Sequence, residues 1–203
     1  MTGAASDPGS PIAWAWAGRA LELESGDLHV VTEFPGGALV GLVDGLGHGA
    51  AAAAAARCAA QELEAHASEA MLPLIQRCHA ALRGTRGAAM SLAVFRTADS
   101  SMTWAGIGNV EAVVLRRDDG PREAVTLRGG VVGYSMPAPR VTTVSVASGD
   151  TLIMATDGIR SGFTSGLVTT DSPEQLAESI LARFDRRTDD ARVVVARYVG
   201  APR

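Results

Sequence analysis

The chain has 203 residues, of which 47% are hydrophobic and 20% charged, a composition typical of one globular domain large enough to bury a core. Its formal net charge of −4 argues against nucleic acid as a partner, because the phosphate backbone is bound by basic surfaces. No apolar run approaches the length of a membrane span, and the N-terminus lacks the basic-then-apolar order of a signal peptide. The two cysteines, Cys58 and Cys78, match no CxxC or zinc spacing, so we expect reduced thiols in a cytoplasmic protein.

The N-terminal part of the chain predicts a tail followed by strands. Residues 1–11 are rich in Gly, Ser, Pro and Ala and are expected to be a disordered N-terminal tail, whereas residues 12–203 are expected to form a single domain. The segments IAWAWAGRA, LHVVTEF and ALVGLV suit strands, in that order. Asp27 begins the second of these strands and Asp44 ends the third, so a hairpin between them would bring both carboxylates to the same end.

Helices are predicted in the segment that follows. The alanine run after Gly49 predicts a helix to about Ala67. A second helix is expected from Ser68, or from near Pro73, to about Arg83.

The remaining sequence is mainly of β character. AAMSLAVF, SMTWAGIG and VEAVVLRR have the pattern of an antiparallel meander, and Asp118-Asp119-Gly120 then predicts a surface turn. Two further strands are expected as a hairpin around Ser148-Gly149-Asp150. A helix from Pro173 to about Phe184 precedes a last strand, Arg192 to Tyr198. This order predicts an α+β fold in which two sheets are flanked by helices.

Carboxylates lie at the ends of several predicted strands. VDGLGHG places Asp44 before a glycine turn and a helix, MATDGI ends a strand on Asp157, and TDDARVVVAR places Asp189 and Asp190 before the last strand. Such a set without His or Cys companions suits Mg²⁺ or Mn²⁺. Clustering the acids without a cation would cost on the order of several kcal/mol. We therefore expect these residues and Asp27 to share a hard-cation site; the alternative is that they are polar corners of tight turns.

The order of these motifs resembles that of a known family. SGD at Ser25–Asp27, VDGLGHG, ATDGI and DDARVVVAR occur as in metal-dependent protein phosphatases, and most closely as in the SpoIIE-type bacterial branch of the type 2C phosphatases. WAGIGNVEAVVL and GGVVGY resemble segments of the RsbX-like proteins of that branch. The resemblance runs from about Trp14 to Val199. It implies two antiparallel β-sheets packed as a sandwich and flanked by helices, and two bound Mn²⁺ or Mg²⁺ ions.

The resemblance also implies roles for individual residues. Asp44 would bridge both metal ions, with the Gly45 carbonyl as a further ligand, and Asp44 and Asp157 would be the catalytic carboxylates. Asp157 and one of the final aspartates would bind the second ion; Asp189 is favoured and Asp190 stays open. Asp27 would bind metal directly or through water.

The implied function is hydrolysis of phosphoserine and phosphothreonine on STAS-domain proteins of the stressosome, which resets sigma-factor signalling in the stress response. Two alternatives stay open. The substrate would instead be an anti-anti-sigma factor, or the chain would be a weakly active binding module that sequesters such a partner. The sequence does not indicate the oligomeric state.

Five further positions bear on the site. The usual Met-Thr after the last aspartates is Ala191-Arg192 here, a departure that would alter the metal-binding loop. Asn109 follows the RsbX-like pattern. His48 is expected to be a residue at a helix start rather than a phosphate ligand. Arg19 is the best candidate for a phosphate-binding arginine, although a solvated surface position is the simpler interpretation.

Overall fold

Residues 1–5, 9–118 and 120–201, which the computed structural model describes, contain two β-sheets that pack face to face. Sheet A contains, in spatial order, β1 (Thr2–Ala5), β2 (Ile12–Arg19), β12 (Ala191–Tyr198), β11 (Thr151–Ala155), β7 (Glu111–Leu115) and β8 (Glu123–Ala124). Sheet B contains β10 (Thr142–Ser145), β6 (Ser101–Ile107), β5 (Ala88–Arg96), β4 (Gly37–Gly45) and β3 (Asp27–Phe34), and β9 (Leu127–Arg128) pairs in parallel with β6.

Helices cover the outer faces of this sandwich. α1 (Gly49–Ala65) and α2 (Met71–Ala81) pack on sheet B, and α3 (Pro173–Phe184) packs on sheet A. The layer between the sheets is filled by buried side chains such as Leu42 and Met154. The predicted α+β sandwich flanked by helices is therefore confirmed. Within the described residues, no helix is long and apolar enough to cross a membrane.

The helices form where local sequence favours them. In α1 the buried face consists mainly of alanines, which let the helix approach sheet B closely. α3 begins with a capping box in which the Ser172 hydroxyl accepts from the Gln175 N–H, and Pro173 occupies the first turn. α2 begins at Met71 rather than at Ser68, with Pro73 in its first turn, where a backbone N–H has no helical partner to lose.

Two strand pairings predicted from the sequence are wrong. The expected meander ends after β6, because Gly108, with φ of +89°, turns the chain out of sheet B and β7 joins β11 in sheet A. The expected hairpin around residues 148–150 is divided in the same way, since β10 pairs with β6 and β11 pairs with β7 and β12. Apolar strands of a sandwich are similar in sequence whichever sheet they join, so their pattern does not determine the partner.

The N-terminal segment also differs from the prediction. We expected residues 1–11 to be disordered, but Thr2–Ala5 form β1, which pairs antiparallel with β2. The amino group of Met1 donates a hydrogen bond to the Gly18 carbonyl oxygen at 2.8 Å. Residues 6–8 of the predicted tail lie outside the described residues, as does Asp119 of the predicted turn.

We predict that Gly158→Ala lowers the melting temperature by several degrees. The added methyl group would lie well inside van der Waals contact with the Asp190 carbonyl oxygen, and relieving such a clash costs about 1–3 kcal/mol. Gly129→Ala is the matched control, because no atom lies within 4 Å of a methyl group added there. Thermal unfolding followed by circular dichroism measures both; equal melting temperatures for the two variants would contradict the packing described.

Candidate metal centre

Asp27 and Asp44 lie opposite each other at one end of sheet B. They are paired residues in the antiparallel ladder of β3 and β4, so their side chains lie on the same face, with Cβ atoms about 5 Å apart. The predicted hairpin is therefore confirmed. Asp27 is 3% exposed, and Asp44 is half-buried.

Asp157, Asp189 and Asp190 come to the same end from sheet A. β11 and β12 pair antiparallel up to Ala155 and Val193, so the residue pair Asp189-Asp190 before β12 lies beside Asp157, which follows β11. Asp157 is exposed and accepts a 2.7 Å hydrogen bond from the side-chain amide of Asn109. The structure thus gives Asn109 a contact that the sequence pattern alone did not reveal.

Thr156 joins the two sheets at this end. Its hydroxyl donates to a carboxylate oxygen of Asp27 at 2.7 Å and accepts from the Arg192 N–H at 2.9 Å. Asp27 lies in sheet B, Arg192 lies in sheet A, and Thr156 directly follows β11 of sheet A. The Thr156 hydroxyl therefore fixes the distance between the aspartates of sheet B and those that follow or precede the strands of sheet A.

The electrostatics show that the carboxylates act on one another. Burial, and then the charges of Asp27, Asp157, Asp189 and Asp190 in that order, together raise the pKa of Asp44 to about 8. Burial also raises the pKa of Asp27 to about 7, although the hydrogen bond from Thr156 works in the opposite direction. The aspartates predicted from the sequence are therefore close neighbours, and they repel one another.

Asp189 and Asp190 have different surroundings. The buried Asp190 carboxylate accepts hydrogen bonds from the N–H groups of Leu21 at 2.7 Å and Gly26 at 2.6 Å, one on each oxygen. Asp189 is exposed, and one of its oxygens accepts from the Asp190 N–H at 2.8 Å. Asp190 therefore holds the loop that joins β2 to β3, whereas the other oxygen of the Asp189 carboxylate accepts no hydrogen bond from the described residues.

The glycine turn after Asp44 is closely packed. A methyl group added at Gly45 would overlap the Ala52 carbonyl oxygen of α1, so only glycine fits there. The Gly45 N–H donates to the Gly26 carbonyl oxygen at 3.0 Å. The turn continues through Gly47 at a φ of +88°, in the region that favours glycine.

The arginine proposed for phosphate from the sequence has another role. Arg19 forms a two-point ion pair with Asp185, with N–O distances of 2.8 and 3.0 Å, and also donates to the Asp189 carbonyl oxygen at 2.7 Å. Its guanidinium group is therefore committed to the loop that carries Asp189. His48 lies at the start of α1 and pairs with Glu22 at 2.5 Å, which agrees with the helix-start interpretation.

Sequence reasoning did not foresee the surroundings of Arg192. Its guanidinium group is buried, lies 4.5 Å from the ring centroid of Trp16 and contacts His29 Nδ1 at 2.8 Å. Burial, and then the Arg192 charge, lower the pKa of His29 to about 4, so His29 stays neutral. Arg192 therefore points between the sheets rather than into the loop of Asp189, and no described atom hydrogen-bonds its Nε.

The donor set consists of carboxylate and carbonyl oxygens, as Mg²⁺ and Mn²⁺ prefer. As the side chains stand, no group of three or more His, Cys, Asp or Glu in the described part of the chain converges closely enough to hold a metal ion. The residues thus fit a hard cation by chemistry and neighbourhood, and their mutual repulsion is the kind of cost that a cation relieves.

Comparison with known proteins gives consistent matches. The family model described as Stage II sporulation protein E (SpoIIE) matches residues 35–199. Phosphoserine phosphatase RsbX of Bacillus subtilis (strain 168) is 25% identical over 155 residues, which make up 76% of this chain and 77% of that protein.

Two solved structures are similar over nearly the whole chain. The crystal structure of RsbX in complex with magnesium has a TM-score of 0.86 at 22% identity and covers 97% of this chain and 99% of that chain. A structure described as "The bacterial stressosome: a modular system that has been adapted to control secondary messenger signaling" has a TM-score of 0.83 at 29% identity and covers 92% of this chain and 99% of that chain.

We predict that the metal-free protein loses stability between pH 5 and pH 8. The raised pKa values of Asp27 and Asp44 mean that the folded chain binds more protons than the unfolded chain, in which a carboxyl titrates near about 4. The resulting stabilisation is complete below about pH 4 and is lost as the pH rises through 7 to 8.

Melting temperatures in EDTA measure this effect. We expect the melting temperature of Asp44→Asn to fall less with rising pH than that of wild type. At pH 8 the variant should melt a few degrees higher, since 1 kcal/mol corresponds to about 2–4 °C in a domain of this size. Asp99→Asn, which removes an exposed carboxylate elsewhere, serves as the control. A decline that is the same in Asp44→Asn and wild type would refute this electrostatic description.

Proposed function

The chain belongs to the SpoIIE family, and from this premise we propose that it is a metal-dependent protein serine/threonine phosphatase of the RsbX-like type. The observation that carries the proposal is the meeting of Asp27 and Asp44 from one sheet with Asp157 and Asp189 from the other. Phosphoryl transfer to water needs positive charge next to the phosphate. These carboxylates would supply that charge by binding metal ions.

The metal ions would be held by a defined set of residues. Asp44 and the Gly45 carbonyl would serve a pair of Mg²⁺ or Mn²⁺ ions, Asp157 and Asp189 would serve the second of them, and Asp27 would bind directly or through water. When bound, the ions supply Lewis acidity toward a phosphoryl oxygen and toward water.

The chain's own residues orient these ligands. Asn109 holds one oxygen of Asp157, and the Thr156 hydroxyl holds one oxygen of Asp27. Arg19 fixes the backbone at Asp189, and Asp190 fixes the preceding loop. Such outer contacts reduce the number of orientations that each carboxylate can adopt.

For the substrate, we propose a phosphorylated STAS-domain component of a stressosome, acted on in the cytoplasm. The support is the likeness to RsbX and to a structure whose description names the bacterial stressosome. The alternatives are an anti-anti-sigma factor as substrate, or a weakly active binding module. Release of phosphate from a phosphorylated STAS-domain stressosome protein and from a phosphorylated anti-anti-sigma factor, compared at equal concentration, separates the two substrates.

We predict hydrolysis of p-nitrophenyl phosphate with Mn²⁺ or Mg²⁺ and none with EDTA. Asp44→Asn and Asp157→Asn should each lose roughly 100-fold or more in kcat/KM, because several kcal/mol of charge stabilisation depend on the metal. Asp99→Asn should retain wild-type turnover. Absence of turnover from folded, metal-loaded protein on this compound and on both phosphoproteins would favour the binding module.

We predict opposite behaviour for the two adjacent aspartates. Asp189→Ala should weaken Mg²⁺ affinity, measured by isothermal titration calorimetry, with little loss of melting temperature in EDTA. Asp190→Ala should lower that melting temperature, because two N–H groups lose their acceptor at a cost of about 1–3 kcal/mol each if they stay buried. The reverse pattern would make Asp190 the metal ligand.

A further inference from the structure

Arg86 lies at the end of the sandwich where the aspartates meet. It precedes β5, and the next residue, Gly87, accepts a 3.0 Å hydrogen bond from the Leu46 N–H. The β4–β5 ladder then pairs Gly45 with Ala88 and Asp44 with Ala89. The backbone of Arg86 is therefore tied directly beside the glycine turn that follows Asp44.

The guanidinium group of Arg86 extends across this turn. A methyl group added at Gly47 would lie 2.5 Å from Arg86 Nη1, so the cation occupies the space that a side chain at Gly47 would need. Gly47 has a φ of +88°, which favours glycine independently of that contact. Because Gly47 has no side chain, the Arg86 guanidinium group can lie over the turn, three residues beyond Asp44.

Arg86 differs from the neighbouring arginines in its partners. Arg19 is paired with Asp185, and Arg57 donates to Glu24 at 2.8 Å. Within the described residues, the exposed Arg86 side chain has no carboxylate partner and makes no hydrogen bond. Its donors are thus free for a ligand.

We propose that Arg86 binds the phosphoryl group of the substrate. This inference rests on the proposed phosphatase function, and it replaces Arg19 in the role suggested by the sequence. A phosphate monoester carries up to two negative charges and would approach a set of carboxylates, so metal ions and a free cation must together outweigh the repulsion. Arginine suits this position because its planar fork of N–H donors matches two phosphate oxygens.

The competing interpretation is that Arg86 only packs on the glycine turn. A packing role predicts a lower melting temperature on removal and no selective loss of phosphate affinity. A phosphate-binding role predicts higher KM and weaker binding of inorganic phosphate, with a smaller change in kcat, because the contact is present in the bound substrate as well as in the transition state.

The test compares Arg86→Ala and Arg86→Lys with Arg83→Ala, all loaded with Mg²⁺. Arg83 is an exposed arginine just beyond α2, so its removal makes the same change in net charge. Two measurements are made on each: kcat and KM with p-nitrophenyl phosphate, and the Kd of inorganic phosphate by isothermal titration calorimetry.

We expect Arg86→Ala to raise the KM and the phosphate Kd by about 10-fold or more, which is the range for a lost charge-assisted hydrogen bond. Arg86→Lys should recover part of the loss as a point charge without the fork, and Arg83→Ala should match wild type. Phosphate binding by Arg86→Ala equal to that of wild type overturns the inference, as does wild-type protein that binds no phosphate.

Two further outcomes are informative. If the wild type binds phosphate but turns over neither compound nor phosphoprotein, the phosphatase proposal fails, while the phosphate titration still decides the role of Arg86. If Arg86→Ala has a lowered melting temperature, Arg86→Lys carries the comparison: a lysine variant with wild-type stability and weakened phosphate binding supports the inference, and one with wild-type binding overturns it.

Discussion

The hydroxyl of Thr156 is the contact on which the geometry of the aspartate end depends. It donates to Asp27 of one sheet and accepts from the backbone of Arg192 in the other, at distances of 2.7 and 2.9 Å. Most of the layer between the sheets is apolar, and apolar contacts have no directional preference, although Arg192 also contacts His29 Nδ1 across it at 2.8 Å. A directional hydrogen bond at the edge of that interface fixes the sheets where the carboxylates of both must meet.

The same end of the molecule concentrates carboxylates that repel one another, which is electrostatically unfavourable. Asp27 and Asp44 are held face to face by the ladder of β3 and β4, and Asp157 and Asp189 are added from the other sheet. Nothing in the apolar core requires this concentration of charge. A glycine turn that tolerates no side chain at Gly45 and the buried carboxylate of Asp190 hold the aspartates in this arrangement. A binding site for a cation needs such fixed carboxylates.

The arginines show how a fold distributes charge around such a site. Arg19 and Asp185 form an ion pair that steadies the backbone of Asp189, and Arg192 lies between the sheets against Trp16. Arg86, on the turn after Asp44, has no acidic partner among the residues that the structure describes. The sequence could not separate these roles, because an arginine near the end of a strand has the same local signature whether it pairs with an acid or faces a ligand.

Local chemistry in the sequence was enough for much of the fold and for the identity of the acids. The apolar patterns of β2 to β4 and the alanine run of α1 predicted those elements, since each pattern depends on neighbouring residues only. The strand-end motifs and their order indicated the family and named Asp27, Asp44 and Asp157. The spacing of Asp27 and Asp44 around a short turn even predicted that they would be opposite each other.

Only the tertiary structure decided what depends on contacts between distant residues. It assigned β7 and β11 to a different sheet from β6 and β10, because equally apolar strands fit either layer and the turn at Gly108 selects one. It distinguished Asp190, enclosed by backbone N–H groups from residues 21–26, from the exposed Asp189, although the two are adjacent in the chain. It also paired Arg19 with Asp185, whereas Arg86 has no acidic partner within the described part of the chain. Hydrogen bonds between residues more than a hundred positions apart carry no local signal, and for that reason these distinctions required the folded chain.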